Sequence, residues 1–349
     1  MITDLRLQNF RSYKDESFEL NPGVNIIVGP NASGKTNLLE AVLVLARGNS
    51  YRAKDQELIS FGKPWARLDG HTNQNLSRTV KLITEPKPVK LFDLDGKEFK
   101  RLSLKHQIPV VLFEPNHLRL LTGSPEARRD YLDDLLEQTQ AGYGAIRRQY
   151  RRALAQRNAL LKQGHGQQKA FPWDVRLSQL AGQIVRARLQ LVEGLDSQLG
   201  KLYKQISQTK KRVSITYDCR WPGNNYESHL LKKLEHSYED DRLRGFTSAG
   251  PHREDLLTTF DGHLAGLTAS RGELRTAILA LKICELKLIE EMRDKAPLLL
   301  LDDVFSELDG KRRHALTDFL APYQTFITTT DADLVVQHFT KKSHIIPLA

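Results

Sequence analysis

The spacing of hydrophobic positions changes along the chain and indicates strands at its beginning. Leu5, Leu7 and Phe10 alternate with polar residues, as on a strand that buries one face. A turn with the sequence Asn-Pro-Gly at 21–23 then precedes an apolar run at 24–28. From 36 to 46 the apolar residues recur at helical spacing instead. The opening segment therefore predicts strands, a turn, a further strand and a helix.

The remaining pattern predicts two kinds of structure in alternation. Short strands are expected between 65 and 99, with a hairpin turn at Asp95-Gly96. Residues 125–200 are rich in Leu, Ala, Gln and Arg, which predicts long helices with a break at 164–166. After about Arg244 strands are expected again, near 255–260, 298–301 and 325–329. We therefore predict an α/β fold in which residues 1–115 and 245–349 form one discontinuous lobe and 116–244 form an inserted helical, basic lobe.

A phosphate-binding loop is predicted between the strand at 24–28 and the helix at 36–46. Its residues fit the pattern G-x-x-x-x-G-K-[ST] and are Gly29, Pro30, Asn31, Ala32, Ser33, Gly34, Lys35 and Thr36. The glycines let backbone N–H groups surround phosphate, and the helix N-terminus favours negative charge. Lys35 is expected to reach the β- and γ-phosphates of ATP, and the Thr36 hydroxyl to ligate Mg²⁺.

An acidic pair after the apolar run 298–301 supplies the carboxylates that such a site requires. Asp302 is predicted to be the Mg²⁺-linked acid, and Asp303 to orient the attacking water. The alternative is a strand that ends in a solvated turn. We expect the catalytic function because a phosphate loop is present in the same chain.

The charge of the chain favours a polyanionic partner. The net charge is +10 and the pI is about 9.4, although a merely soluble basic protein is the alternative. No acidic residue occurs between Gln138 and Trp173, and helical spacing places several arginines in one sector. The residues predicted to contact DNA phosphates are Arg147, Arg148, Arg151, Arg152, Arg157, Lys210, Lys211 and Arg212. The alternative for each of them is a solvated helix or loop surface.

Two classes of protein are not expected. No apolar run approaches the ~20 residues that span a bilayer, so we expect no membrane segment and a cytoplasmic location. No helix-turn-helix or zinc-finger pattern occurs, so any DNA contact is expected to be independent of sequence.

Several motifs, in one order, resemble a known family. They are "LQNFRSY" from Leu7, "GPNASGKTNLLEA" from Gly29, "SPEARRDYLD" from Ser124, "QRNALLK" from Gln156, "GPHRED" from Gly250, "LLLLDDVFSELD" from Leu298 and "FITTTD" from Phe326. Over essentially its whole length the chain resembles the RecF family of bacterial recombination mediators, relatives of the SMC heads among the ABC-type ATPases. The resemblance implies an ABC/SMC-head-like ATPase lobe with an inserted helical lobe.

The resemblance also implies roles for individual residues. Arg11 would lie near the nucleotide phosphates, and Ser270, Arg271 and Gly272 would form a signature motif that contacts the ATP of a second copy of the chain. ATP would therefore close a homodimer with two composite sites. Glu307 and Asp309 would line the interface as the D-loop. Residues 112–115 would occupy the position of the Q-loop.

The function implied is ATP-dependent DNA binding in recombinational repair and replication restart. The dimer would close at single-strand gaps or junctions, help RecO- and RecR-like partners load recombinase, and support the SOS response. The signature reads Ser-Arg-Gly-Glu where the family more often has glutamines, and no switch histidine is present, so Thr329 or Thr330 would serve. ATP hydrolysis is accordingly expected to be slow and DNA-stimulated. The alternatives are an ABC transporter ATPase subunit and an SMC-like chromosome organiser.

Overall fold

The fold separates into two compact units. The computed structural model describes residues 1–331, 335, 337 and 343–348. The first unit comprises Met1–His117 and Ile289–Ala349, and the second comprises Leu118–Leu288. The predicted lobe 245–349 also contains positions outside the described residues, namely 332–334, 336, 338–342 and 349.

The amino-terminal part of the first unit is built mainly from strands. They are β1 (Ile2–Phe10), β2 (Tyr13–Glu19), β3 (Val24–Val28), β4 (Trp65–Thr72), β5 (Ser77–Ile83), β6 (Val89–Leu94), β7 (Lys97–Phe99) and β8 (Val110–Phe113). Helix α1 (Lys35–Arg47) follows β3. Single 3₁₀ turns lie at Asp55–Leu58, Leu104–His106 and Pro115–Leu118.

The second unit is mainly helical. Its helices are α2 (Arg119–Thr122), α3 (Pro125–Thr139), α4 (Tyr143–Lys162), α5 (Gln167–Ser207), α6 (Tyr226–His236), α7 (Tyr238–Arg244), α8 (Ala265–Thr268) and α9 (Arg271–Arg293), which continues into the first unit. Its strands are β9 (Val213–Asp218), β10 (Asp255–Phe260) and β11 (His263–Leu264). Strand β10 pairs antiparallel with both β9 and β11.

The carboxyl-terminal part of the first unit alternates strands and helices. The elements are β12 (Leu298–Asp302), α10 (Val304–Glu307), α11 (Gly310–Leu320), β13 (Thr325–Thr329) and β14 (Ser343–Pro347). Within the described residues these strands join a parallel sheet in the order β14-β3-β13-β12-β8. Both faces of β13 are buried, as expected of a strand inside a parallel sheet.

Helix α1 lies in the core between two sheets. A second sheet of the first unit is antiparallel, in the order β2-β1-β4-β5-β6-β7. One continuous hydrophobic cluster joins apolar residues of this sheet, of α1 and of the parallel sheet. Arg78 is buried and donates to the carbonyls of Leu45 and Ala46 at the end of α1, and burial lowers its pKa to about 10. A cation at a helix C-terminus is favourable for the helix dipole, so Arg78 helps to fix α1.

Most of the predicted elements are confirmed. The predicted bounds 24–28, 255–260 and 325–329 coincide with β3, β10 and β13. The hairpin turn at Asp95-Gly96 joins β6 to β7, and the break at 164–166 separates α4 from α5. Strand β9 was not predicted. Because β9 pairs with β10, the second compact unit extends beyond Arg244, to Leu288.

Candidate functional site

The backbone of the predicted phosphate loop has a shape that requires glycine at two positions. Gly34 has φ +98°, and a Cβ there would lie 3.0 Å from the Tyr13 hydroxyl. At Gly29 a Cβ would lie 2.6 Å from Ser33 Oγ and 2.7 Å from the Leu348 carbonyl oxygen. Tyr13 also donates a 3.0 Å hydrogen bond to the Gly34 carbonyl. The loop is thus held close to strand β2 and leaves no room for larger residues.

Lysine and serine side chains of this loop are turned toward its own backbone. Lys35 Nζ donates to the carbonyl oxygens of Gly29 and Pro30, at 2.7 Å each. Ser33 Oγ is buried without a hydrogen-bond partner among the described residues. A buried hydroxyl without a partner is costly, and an anion in the loop would supply one.

Asp302 and Thr36 meet at one edge of the parallel sheet. Strands β3 and β12 run in the same direction on either side of β13, so their carboxyl ends share this edge. Thr36 Oγ1 donates to Asp302 Oδ1 at 3.0 Å, and Thr328 Oγ1 donates to the same oxygen at 2.7 Å. The sequence prediction brought together Thr36 and Asp302 but did not include Thr328.

Asp303 lies at the start of α10 in a left-handed conformation, with φ +51°. Its side chain is exposed and accepts a hydrogen bond from Ser306. Non-glycine residues with positive φ are uncommon and concentrate at functional sites. Farther along, Asp309 accepts from the Arg312 backbone N–H and so caps α11, which follows from its position directly before that helix.

Arg11 is held by a buried carboxylate of α1. Its Nε and Nη2 donate to the two oxygens of Glu40, at 2.8 and 3.0 Å. Arg52 Nη2 lies 3.0 Å from the same carboxylate, and Ser50 also donates to it. Glu40 is fully buried, and despite that burial these donors lower the pKa of its carboxyl. The sequence prediction did not include Glu40. Its signal in the sequence is that it is a charged residue inside the apolar segment 38–46.

An open cleft of about 550 Å³ lies beside Arg11 in the first unit. It is lined by Asn37 of α1 and by Ile59, Phe61 and Lys63, among others. The Phe61 side chain is fully exposed. The cleft therefore combines polar and charged side chains with apolar ones.

Residues 112–115 run from the end of β8 to the following 3₁₀ turn. Strand β8 pairs with β12, and Phe113 lies opposite Leu301. Glu114 is half-buried and follows directly. Burial and then the charge of Asp302 raise the pKa of the Tyr51 hydroxyl, and Glu114 adds to this effect. Glu114 thus places an acid close to Tyr51 and to the carboxyl end of β12.

The segment predicted to be the signature motif, at 270–272, belongs to the second unit. Ser270 precedes α9, and Arg271 and Gly272 are the first two residues of that helix. Ser270 and Arg271 are exposed. The Ser270 hydroxyl and backbone N–H both donate to the carboxylate of Glu273, at 2.9 and 2.8 Å.

The predicted DNA-contact arginines on α4 differ in their surroundings. Arg148, Arg151 and Arg152 are exposed. Arg147 is half-buried and pairs with Asp130 and Glu137 of α3, at 2.6 and 3.2 Å. Arg151 Nη2 also lies 3.6 Å from Asp130, so the expectation that these arginines have no acidic neighbours is wrong for Arg147 and Arg151, because the acids come from a different helix.

The prediction that Arg157 contacts DNA is wrong, since its side chain is fully buried. It forms ion pairs with Asp174 at 2.5 Å and with Asp241 at 2.8 Å, and donates to Thr247 at 2.9 Å. Arg157 lies nine residues beyond Arg148, about two and a half helical turns, so it points to the opposite face. It shares that face with Tyr150, Ala153 and Leu161, a spacing that could have revealed its burial.

The basic segment Lys210–Arg212 lies between α5 and β9, and its three side chains are exposed. Lys211 Nζ forms an ion pair with Glu273 at 2.5 Å. The backbone N–H of Arg212 donates to the Asp261 carboxylate at 2.9 Å.

Comparisons with known proteins match the whole chain. The family model described as "RecF/RecN/SMC N terminal domain" matches residues 1–345. A curated protein of Moorella thermoacetica, named DNA replication and repair protein RecF, is 36% identical over 354 residues, covering 100% of this chain and 95% of the relative. A protein of the same name from Halalkalibacterium halodurans is 38% identical over 351 residues, with 95% and 93% coverage.

Solved structures agree with this relationship. The structure of the recombination mediator protein RecF with ATPrS, in the RecFOR pathway, is 31% identical with a TM-score of 0.87, over 96% of this chain and 94% of that one. An SMC head bound to the C-winged helix domain of ScpA is 16% identical with a TM-score of 0.53, over 97% and 91%, and shares the fold alone. The predicted α/β, SMC-head-like fold is thereby confirmed. The chain belongs to the RecF/RecN/SMC N-terminal domain family and, within it, to the RecF proteins.

Proposed function

We propose that this protein is an ATP-switched DNA-binding protein of replication and recombinational repair. The observation that carries the proposal is the contact between Thr36 and Asp302 at the carboxyl edge of the parallel sheet. It joins the phosphate loop to the acid that the motif requires, in a chain similar along its whole length to RecF DNA replication and repair proteins.

The loop residues fit the phosphates of ATP. Gly29 and Gly34 leave no space for side chains, Lys35 is positioned over the loop, and Ser33 Oγ lacks a partner in the described structure. We propose that Thr36 and Asp302 hold Mg²⁺, which would neutralise phosphate charge when bound. Arg11 would lie near these phosphates, and the neighbouring cleft would receive the rest of the nucleotide.

The signature segment supports a composite site formed by two copies of the chain. Ser270, Arg271 and Gly272 are accessible at the start of α9, so a partner's phosphates can approach them. We propose that ATP closes this homodimer, that Glu307 and Asp309 line its interface, and that Asp303 orients water. Hydrolysis would be slow and would reopen the dimer.

The exposed cations of the second unit support contact with DNA. Arg148, Arg151 and Arg152 form one accessible surface, and the segment Lys210–Arg212 forms another. Such groups bind phosphates without reading sequence. We propose that the dimer binds DNA at single-strand gaps or junctions and, with RecO- and RecR-like partners, promotes recombinase loading in the SOS response.

The cytoplasm is the location that we propose for this activity. In the described part of the chain, none of the helices combines the length and apolar character required to cross a membrane.

The two other functions are less well supported. The curated relatives at 36% and 38% identity are RecF proteins and not transporter subunits. A chromosome organiser of the SMC type needs a long coiled coil, whereas α5, which has 41 residues, packs against α4 and α6 inside the second unit.

ATP-dependent dimerisation tests the proposed function. We expect sedimentation velocity to show a monomer without nucleotide and a dimer with ATP. We also expect ATP turnover, measured without DNA and with single strands, duplex or gapped duplex, to be highest with gapped duplex. Ser270→Arg should bind ATP but remain monomeric, because the larger side chain blocks the partner's phosphate. Ser228→Arg, at an exposed position of α6, is the matched control. Normal dimerisation of Ser270→Arg would refute the composite site.

Charge reversal on α4 tests the DNA surface. Changing Arg148, Arg151 and Arg152 to glutamate should weaken DNA binding. The slope of log affinity against log salt concentration should become shallower by about 0.9 for each phosphate contact that is lost. Fluorescence anisotropy over a salt series measures both quantities. Reversal of the exposed residues Lys87, Lys97 and Lys100 gives a control with the same change in net charge. An unchanged slope in the α4 variant would remove this surface from the interface.

A further inference from the structure

The carboxylate of Glu273 accepts hydrogen bonds from the donors of the signature segment that would otherwise bind an anion. Both Ser270 donors, the backbone N–H and the hydroxyl, reach Glu273 Oε2. The Glu273 N–H in turn donates to Ser270 Oγ at 3.3 Å. This reciprocal arrangement is a capping box at the start of α9. The signature serine is therefore already satisfied by a negative charge of its own chain.

This arrangement creates competition at the composite site, and the inference rests on the proposed function. If Ser270 contacts the γ-phosphate held by a second copy, that phosphate and the Glu273 carboxylate require the same two donors. They would also repel each other across a short distance. A glutamine at this position would keep the cap without the charge.

Lys211 meets the other oxygen of this carboxylate. Its Nζ lies 2.5 Å from Glu273 Oε1, and the side chain remains about half-exposed. The chain directly after Lys211 is anchored, because Arg212 and Asp261 exchange two hydrogen bonds of 2.9 Å, one from each backbone N–H. The ion pair lowers the pKa of Glu273 and raises the pKa of Lys211, so both groups stay charged at neutral pH.

We propose that Lys211 is a positioning residue for the signature motif: it holds the Glu273 carboxylate in the cap and neutralises it, so that the γ-phosphate bound by a second copy of this chain can approach Ser270 without facing an uncompensated negative charge. Lys211 thereby acts on dimerisation through Glu273 and not through direct contact with nucleotide. Its position in the basic segment Lys210–Arg212 places this control next to a proposed DNA contact.

A double-mutant cycle measured without DNA tests the proposal. Lys211→Met should weaken ATP-dependent dimerisation by about tenfold, since Glu273 is then uncompensated beside the γ-phosphate. Glu273→Gln should strengthen it, and the double variant should match Glu273→Gln alone. The loss of dimerisation in Lys211→Met should become smaller as the salt concentration is raised, because dissolved ions screen the charge of Glu273. Lys204→Met, which removes an exposed charge of α5, is the matched control.

The outcomes separate this inference from the proposed function. If the double variant dimerises as poorly as Lys211→Met, lysine acts on the nucleotide directly and the inference fails. It also fails if Lys211→Met dimerises like the unmodified protein while Ser270→Arg is monomeric. If Ser270→Arg itself dimerises normally with ATP, the composite site is absent and the proposed function fails first. Full recovery in the double variant is the result that supports the positioning role.

Discussion

Replacing Lys35 with alanine is expected to lower ATP affinity by about 10- to 100-fold and to abolish ATP-dependent dimerisation. The Lys35 ammonium group lies over the phosphate loop and bonds the Gly29 and Pro30 carbonyls at 2.7 Å. A hydrogen bond to a charged group contributes about 1.5–3 kcal/mol, and 1.4 kcal/mol is tenfold in affinity. The variant also leaves these two carbonyls without the ammonium donor.

Titration with a fluorescent ATP analogue measures the affinity of the Lys35→Ala variant, and sedimentation velocity measures its oligomeric state. Lys14→Ala serves as the control, because Lys14 is an exposed lysine of β2 in the same unit. The control should bind ATP and dimerise normally. Dimerisation of Lys35→Ala at the ATP concentration that saturates the unmodified protein would contradict the assignment of the loop.

Replacing Arg157 with methionine is expected to lower the free energy of unfolding by about 3–5 kcal/mol. Arg157 is fully buried and is the shared cation of Asp174 and Asp241, which are fully buried as well. Methionine preserves most of the volume but leaves two carboxylates in the interior without their positive partner. Chemical denaturation followed by circular dichroism measures the loss.

The pH dependence of this loss provides a second, independent readout. Burial raises the pKa of the Asp174 carboxyl even with Arg157 present. A carboxyl whose pKa is higher in the folded state binds more protons there, so its contribution to stability falls as pH rises through that range. The deficit of Arg157→Met should therefore shrink as the pH is lowered from neutrality, because protonation neutralises the buried carboxyl. Arg152→Met, at an exposed position of the same helix, should show neither effect. A stable, pH-independent Arg157→Met variant would disprove the structural role.

The sequence predicted best those features that depend on neighbouring residues. The apolar runs at β3, β12 and β13 bury both faces of each strand, so each is a local signal of a parallel sheet. The phosphate loop and Asp302 followed from fixed spacing next to two of these runs. Their meeting at one sheet edge followed from parallel strand direction.

The remaining features depend on residues that are distant in sequence. The acidic partners of Arg157 are Asp174, seventeen positions later, and Asp241, eighty-four positions later. A local sequence pattern therefore does not reveal them. Arg147 likewise pairs with α3. Strand β9 was missed because its partner β10 lies beyond α6 and α7. In each case tertiary packing, and not local propensity, determines the outcome.

The parallel sheet has a consequence for how the protein is made. Strand β3 leaves the ribosome before the second unit, yet its neighbours on both sides, β13 and β14, are synthesised only after that unit. The second unit, Leu118–Leu288, is continuous in the chain and has all its strands available sooner. Because domains generally fold as units during synthesis, the second unit is expected to form first while β3 and α1 stay exposed to chaperones. A nascent chain that stops before β12 would contain every residue of the phosphate loop. It would lack Asp302, whose carboxylate accepts the hydrogen bond from Thr36.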